Sequence, residues 1–297
     1  MTEAPHLEAD APIGVFDSGL GGLTVVRQML RLMPLERILF VADQAHVPYG
    51  ERDLSEVRGF ACGISEGLLA AGCKAIVMAC NISSATALDT VRANHPNILV
   101  LGVIEPGAKA AAQTTQNGRI GVLATAGTVK SGAYTRTLNS LDPQLTVFEV
   151  ACPKFVPLVE GDAINTPEAY RAAEAYMATL LKAGTDTVVL GCTHYPFLLP
   201  VLEKVAPQVR FVNPAEQTVF ELERGIAAHR LTTRCTDSGP VCLTTTGDAS
   251  HFATTLNRFL PHPEEMLRIE GVAWNAGRLP LCVPAFSSCT GAPVDCT

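Results

Sequence analysis

The sequence predicts an α/β fold built from parallel sheets in doubly wound units. Three observations predict it. Short runs of aliphatic and β-branched residues, as in strands buried on both faces, alternate along the chain with helical segments. Two of these runs, Ala75-Ile76-Val77-Met78-Ala79 and Thr187-Val188-Val189-Leu190-Gly191, are each followed at once by a cysteine, Cys80 and Cys192. Finally, Ile13-Gly14-Val15-Phe16 is echoed by Ile120-Gly121-Val122-Leu123. That offset is 107 residues (13 to 120) and the cysteine offset is 112 (80 to 192), as a duplicated unit would give.

Residues 13–17 read as the first strand, which turns through Ser18-Gly19-Leu20-Gly21-Gly22-Leu23-Thr24 into a helix. Glycines here let backbone amides approach a ligand, and the start of a helix favours anions. The spacing G-x-G-G does not fit the dinucleotide fingerprint, so a carboxylate is the expected guest. The second strand covers 37–42. It ends in the loop Asp43-Gln44-Ala45-His46-Val47-Pro48-Tyr49-Gly50, punctuated by proline and glycine. A helix over 54–71, the Cys80 strand, a helix over 83–93 and a strand over 98–104 follow. Glu105-Pro106-Gly107 then breaks the chain and marks a crossover. The second unit takes a strand over 119–124, a helix near 130–140, a strand over 145–150, a helix over 167–183, the Cys192 strand, a helix over 198–205 and a strand over 209–212. Asn213-Pro214-Ala215 begins the return. Beyond Thr244-Thr245-Thr246-Gly247-Asp248 and a helix over 249–260 the pattern fades. The expected domains are 1–104 with 214–270, then 105–213, with a tail over 271–297 that carries no predicted order.

Composition narrows the function. The chain has 297 residues, 47% hydrophobic and 17% charged, a balance suited to a compact globular protein. The net charge is −7 and no basic stripe appears, which argues against nucleic acid as the main partner. The acidic, polar N-terminus lacks the form of a secretory signal, and no apolar stretch is long enough to span a bilayer. The expected location is the cytoplasm, with no membrane partner. Ten cysteines invite a disulfide or metal reading, but no C-x-x-C pair occurs. Cys73, Cys80 and Cys192 lie in or beside predicted buried strands and Cys62 in a helix, where cysteine behaves as a small hydrophobe. Cys282, Cys289 and Cys296 recur every seventh residue, but Pro280, Pro284 and Pro293 oppose a helix there. No metal is expected.

In open α/β sheets ligands bind outside the carboxyl ends of the strands. Cys80 and Cys192 both stand there, on related units, each followed by polar residues. Two thiols facing each other across one site can take a proton from one face of a carbon and return it on the other. Thiolate suits the task because its pKa falls at a helix N-terminus or beside a cation, and both cysteines precede predicted helix starts. His194 is placed to share the proton of Cys192, and Asp17 to do the same near Cys80 or to hold a substrate ammonium. No pyridoxal phosphate signature and no Schiff-base lysine stand out, so no cofactor is expected. Each residue has a plainer reading. A lone strand-end cysteine is most often core; His194 suits a structural hydrogen bond, Asp17 a helix cap, Tyr49 turn packing, Glu160 the surface, and Cys152, before Pro153, a tight turn.

The motifs together resemble the glutamate racemases of the aspartate/glutamate racemase superfamily. The matching stretches are Gly14-Val15-Phe16-Asp17-Ser18-Gly19-Leu20-Gly21-Gly22-Leu23, Val47-Pro48-Tyr49-Gly50, Ala79-Cys80-Asn81 and Gly118-Arg119-Ile120-Gly121-Val122. Ala151-Cys152-Pro153, Phe155-Val156-Pro157-Leu158-Val159-Glu160 and Gly191-Cys192-Thr193-His194-Tyr195-Pro196 complete the set, in the family's order over roughly 13–260. The resemblance implies two α/β domains related by a pseudo-twofold, with the active site between them, and a homodimer. It implies that Cys80 and Cys192 are the catalytic bases, with Asp17 and His194 assisting. It implies substrate contacts from Asp17, Ser18, Tyr49, Gly50, Asn81, the following position Ile82, Thr193 and His194, with Asp43 and Glu160 as supporting acids. The substrate implied is glutamate, and the role is to supply D-glutamate for peptidoglycan, hence cell wall and cell shape. One departure is visible: the family usually reads Cys-Asn-Thr, and Ile82 keeps the backbone N–H but loses the hydroxyl. Losing one hydrogen bond to a charged group costs about 1.5–3 kcal/mol, and Ser83 or Ser84 is the candidate substitute.

Rival readings are a racemase of aspartate or another acidic amino acid, a decarboxylase or isomerase of the same superfamily, and a cysteine hydrolase built on Cys192 and His194. A non-catalytic amino-acid-binding protein on the same scaffold is the reading from outside enzymology. Two cysteines argue against one-cysteine chemistries, and a hydrolase leaves Cys80 without a purpose.

Overall fold

The computed structural model describes residues 8–261 and 267–281, and the backbone of 285–286 and 293–294. Ten strands form two sheets. They are β1 (Ile13–Asp17), β2 (Ile38–Ala42), β3 (Ala75–Met78), β4 (Leu99–Gly102), β5 (Arg119–Ala124), β6 (Thr146–Ala151), β7 (Thr187–Gly191), β8 (Arg210–Val212), β9 (Val241–Thr245) and β10 (Leu267–Gly271). One sheet runs β10-β9-β2-β1-β3-β4 and the other β6-β5-β7-β8, and every pairing within them is parallel. A separate antiparallel pair joins Ala285–Phe286 to Pro293–Val294. The fold is α/β with parallel sheets.

Each sheet contains the same four-strand arrangement, in which the first strand of the unit lies between its second and third. The repeated Ile-Gly-Val has the same use in both. A Cβ on Gly14 would come 3.0 Å from Leu68 Cδ1, on the helix Leu54–Ala70. A Cβ on Gly121 would come 2.8 Å from Leu180 Cδ1, on the helix Pro167–Lys182. In each unit the helix before the third strand drops a leucine into the notch that glycine leaves. The strands β1, β2, β3, β7 and β9 are buried along their whole length, which is why they read as unbroken apolar runs.

Four expectations need correction. Glu105-Pro106-Gly107 does not break the chain: it forms the first turn of the helix Ile104–Thr114, where the missing proline N–H costs no intrahelical bond. The helix expected near 130–140 is two helices, Ala126–Ser131 and Ala133–Leu141, divided at Gly132 (φ 62°), which takes the left-handed conformation. Cys192 is not followed at once by an α-helix. A turn and the short 3₁₀ segment Tyr195–Leu198 intervene before Leu199–Val205. Residues 271–281 are not a loose tail. They continue from β10, which adds to the first sheet, and cross the helix Leu54–Ala70 over Gly63 and Gly67, where a Cβ would collide with Gly277 O and Leu279 O. Leu279 is buried there. Cys282, Cys289 and Cys296 lie outside the described residues.

Candidate active site

Where strand order reverses, the loops leaving adjacent strands part and open a crevice. This happens once in each sheet, between β1 and β3 and between β5 and β7. The loops that leave those four strands line one cavity of about 340 Å³: Ser18 after β1, Cys80 after β3, Thr125 after β5 and Cys192 after β7. Both thiols therefore border the same space, each from the equivalent position of its own unit.

Cys80 caps the helix Asn81–Asn94, and its Sγ lies 3.9 Å from Ser18 Oγ. The helix start does not make it acidic. Burial, and next the charge of Asp17, push its thiol up to about 12. Asp17 itself lies behind the wall, fully buried and not lining the cavity. Its Oδ2 accepts from the amides of Gly22 (2.8 Å) and Gly19 (3.3 Å) and, across the units, from Thr193 Oγ1 (3.4 Å). Those amides of the glycine-rich turn are thus spent on the chain's own carboxylate rather than offered to a ligand. Burial raises the pKa of Asp17, opposed by the charge of His194, and Oδ1 has no partner among the described residues.

The wall beside Cys80 comes from Asn81, Ile82, Tyr49 and Gly50. Asn81 Oδ1 accepts from Tyr134 Oη at 2.7 Å, a bond between the units. Ile82 presses on Gly127, whose missing Cβ makes the room, with the Gly50 carbonyl beside it. Neither expected substitute hydroxyl reaches the cavity. Ser84 Oγ donates to backbone carbonyls of Met78 and Cys80, and Ser83 Oγ is buried on the side of the Cys80 thiol, whose pKa it lowers against the larger effect of burial. Asp43 also stays outside the cavity. It is fully buried, with His46 Nδ1 (2.8 Å) and Tyr49 Oη (2.5 Å) on Oδ2, and Thr246 Oγ1 and Trp274 Nε1, each at 2.8 Å, on Oδ1.

On the other side, His194 Nδ1 lies 3.9 Å from Cys192 Sγ, and its Nε2 is 3.2 Å from Glu160 Oε1. The second contact is an ion pair by distance but lies off the line of a good hydrogen bond; opposite charge at short range is the part of it that matters. Burial opposes charge on this imidazole, yet Cys192 and Glu160 override it and raise the pKa to about 10. His194 in turn keeps Glu160 below the usual carboxylate range. Arg258, on the helix Ala249–Phe259, donates to the carbonyls of Glu160 (3.1 Å) and Val159 (2.8 Å), so the first unit grips the segment that carries Glu160.

The cavity thus gathers Cys80, Cys192, Ser18, Tyr49, Gly50, Asn81, Ile82, Thr193, His194 and Glu160, and leaves Asp17 and Asp43 one layer behind. Sequence reasoning missed Thr125, Ala126 and Thr128, which line it after β5. The repeat carried the signal, since Thr125 follows β5 as Ser18 follows β1. Cys152, read as a turn residue, also lines the cavity. Burial raises its thiol pKa, and its carbonyl accepts from Tyr195 Oη at 3.1 Å.

A pH dependence follows from His194. Its folded-state pKa lies above the ordinary value of 6.5, so folding favours the charged ring; that stabilisation is whole below 6.5 and is lost as pH rises through about 10. The destabilisation caused by His194→Gln should therefore shrink between neutral pH and pH 10 in denaturant unfolding. Ring resonances titrating near 6.5 would contradict this.

A family model described as Asp/Glu/Hydantoin racemase matches residues 13–222. A glutamate racemase from Levilactobacillus brevis is 43% identical over 251 residues, 84% of this chain and 91% of that protein. The crystal structure of a glutamate racemase from Bacillus anthracis aligns with a TM-score of 0.84 at 33% identity, covering 91% of this chain and all of the other (100%). That of a Thermus thermophilus glutamate racemase in complex with beta-chloro-D-alanine gives a TM-score of 0.81 at 38% identity, covering 90% and 98%.

Proposed function

The chain belongs to the Asp/Glu/hydantoin racemase family, and we infer that it interconverts L- and D-glutamate with Cys80 and Cys192 as the two bases. The observation that carries this is the pair of strand-end cysteines bordering one cavity from matching positions of two like units. An amino-acid Cα–H is a very weak acid, so a base must be held against it and the carbanion's charge must be met. One thiol takes the proton as thiolate; the other, still protonated, returns a proton from the far side; the roles exchange for the other enantiomer. The high pKa of Cys80 suits the acid role. A substrate ammonium brought beside it is a nearby cation, which lowers a thiol's pKa and favours the base role. The His194–Glu160 pair serves Cys192 with a charged imidazole. Asn81 and Thr193 are assigned to the α-carboxylate, and Ser18, Tyr49 and Gly50 to the rest of the substrate.

The same reading divides the chain into 1–104 with 214–270 and 105–213, and assigns a cytoplasmic homodimer that supplies D-glutamate for peptidoglycan. Among the described residues no helix is long and apolar enough to cross a membrane.

Polarimetry or circular dichroism with L- and D-glutamate tests the reaction. Turnover is expected to survive dialysis against a chelator and carbonyl reagents; a requirement for added metal or pyridoxal phosphate would defeat the two-thiol mechanism. The kcat/KM is expected to be higher for glutamate than for aspartate. The specific reason to test aspartate is Ile82, an apolar wall where the family usually has a hydroxyl. A preference for aspartate would change the substrate and leave the mechanism standing.

A further inference from the structure

We propose that residues 272–281 are a strap that positions the substrate-facing loop 47–50, with Trp274 as its positioning residue. The path is short. β10 ends at Gly271, Val272 N donates to Thr245 O at 2.9 Å, and the chain then crosses the helix Leu54–Ala70. Its seat is cut by two glycines one turn apart: a Cβ on Gly63 would meet the Trp274 ring and Gly277 O at 2.8 Å, and a Cβ on Gly67 would meet Leu279 O at 2.5 Å. A tight turn, with Asn275 and Arg278 bonded to each other at 2.9 Å in both directions, holds the strap's shape.

The indole does more than fill the seat. Its N–H reaches Asp43 Oδ1, while the other oxygen of that carboxylate takes the Tyr49 hydroxyl. Asp43 is fully buried, so each of its donors offsets the cost of desolvating a charge. Tyr49 is 2% exposed, and its hydroxyl is committed to Asp43; what its loop offers the cavity is fixed in place by that bond. His46 stacks on Phe60 (3.9 Å between centroids) and takes the edge of Trp274 (5.3 Å), closing an aromatic cluster around the same carboxylate. Without the indole N–H, Oδ1 keeps only Thr246 among the described residues. The loop then has more freedom, whereas the two thiols, on other segments, keep their places. Binding should weaken while the chemical step holds.

The inference rests on glutamate being the substrate, and wild-type turnover of glutamate checks that separately. Trp274→Phe, which keeps the ring and loses the donor, is expected to raise KM about three- to tenfold with kcat within about twofold, because interactions lost equally from ground and transition state appear in KM alone. Thr246→Val, which strips the other donor from the same oxygen, should give the same split and stands in if Trp274→Phe fails to fold. Leu279→Ala loosens the strap but keeps the indole N–H; it should lower the melting temperature and raise KM by less than Trp274→Phe does. As the chain's only tryptophan, Trp274 also lets fluorescence confirm that the strap is seated in the Thr246 and Leu279 variants. Wild-type KM in both Trp274→Phe and Thr246→Val would overturn the proposal. So would a fall in kcat as large as the rise in KM in Trp274→Phe, since a merely structural role moves both.

Discussion

Replacing either Cys80 or Cys192 by serine is expected to abolish racemisation in both directions, by about 10³-fold or more, the order general acid–base groups supply. Serine keeps nearly the same shape but is a far weaker acid, so the loss reports chemistry rather than packing. A one-sided reaction should survive. Elimination from a β-substituted amino acid needs a base on one face only, and each variant keeps one thiol. Cys80→Ser and Cys192→Ser should therefore act on opposite enantiomers of such an analogue, with circular dichroism showing both folded. If both variants favour the same hand, or either racemises near the wild-type rate, the thiols do not flank the α-carbon.

The second large effect is expected at Gly21. This residue lies in the turn after β1, and a Cβ there would come within 2.5 Å of His194 Nδ1 and closer still to Thr193 Oγ1, both from the other unit. The turn has little room to yield, since the Gly21 carbonyl holds Thr24 N at 3.0 Å and Thr24 Oγ1 at 2.9 Å. The shift must fall on the Thr193 and His194 side chains, which follow Cys192 directly. Gly21→Ala should therefore cost about 10²-fold in kcat/KM, as a displacement of about 1 Å does, and lower the melting temperature as well, as overpacking does. Gly59→Ala is the control. Nothing lies within 4 Å of a Cβ at that helical position, so activity should be unchanged and stability equal or higher. Near-wild-type kcat/KM in Gly21→Ala would show that this contact does not set the geometry around Cys192.

Much of this was legible in the chain before any coordinates. Buried parallel strands announce themselves as short aliphatic runs, so β1, β3, β5 and β7 were placed within a residue or so, and the thiols at their ends with them. The repeat of Ile-Gly-Val was legible but its reason was not. Only packing shows that Gly14 and Gly121 each admit a leucine from a helix dozens of residues away. Local rules misled where a residue serves two grammars. Pro106 reads as a breaker yet suits a helix's first turn, and the glycines after β1 read as a ligand cradle yet serve Asp17. The acidity of Cys80 was read in the wrong direction because burial, which sequence does not state, outweighs the helix start. The strap over Gly63 and Gly67 was invisible, since its contacts join residues some two hundred positions apart.

The two thiols stand in like frames but among unlike neighbours: Cys80 beside Ser18 and the Asp17 carboxylate, Cys192 beside a charged His194 and Glu160. Mirror-image substrates have equal free energy in achiral water, so the equilibrium constant between them is unity whatever surrounds the thiols. The Haldane relation then holds kcat/KM equal in the two directions. Chemical inequality between the half-sites is left one outlet: kcat and KM can differ between the enantiomers only by the same factor. The hand with the higher kcat must also have the higher KM in the same proportion, and no substitution in either half can make the enzyme favour one direction at equilibrium.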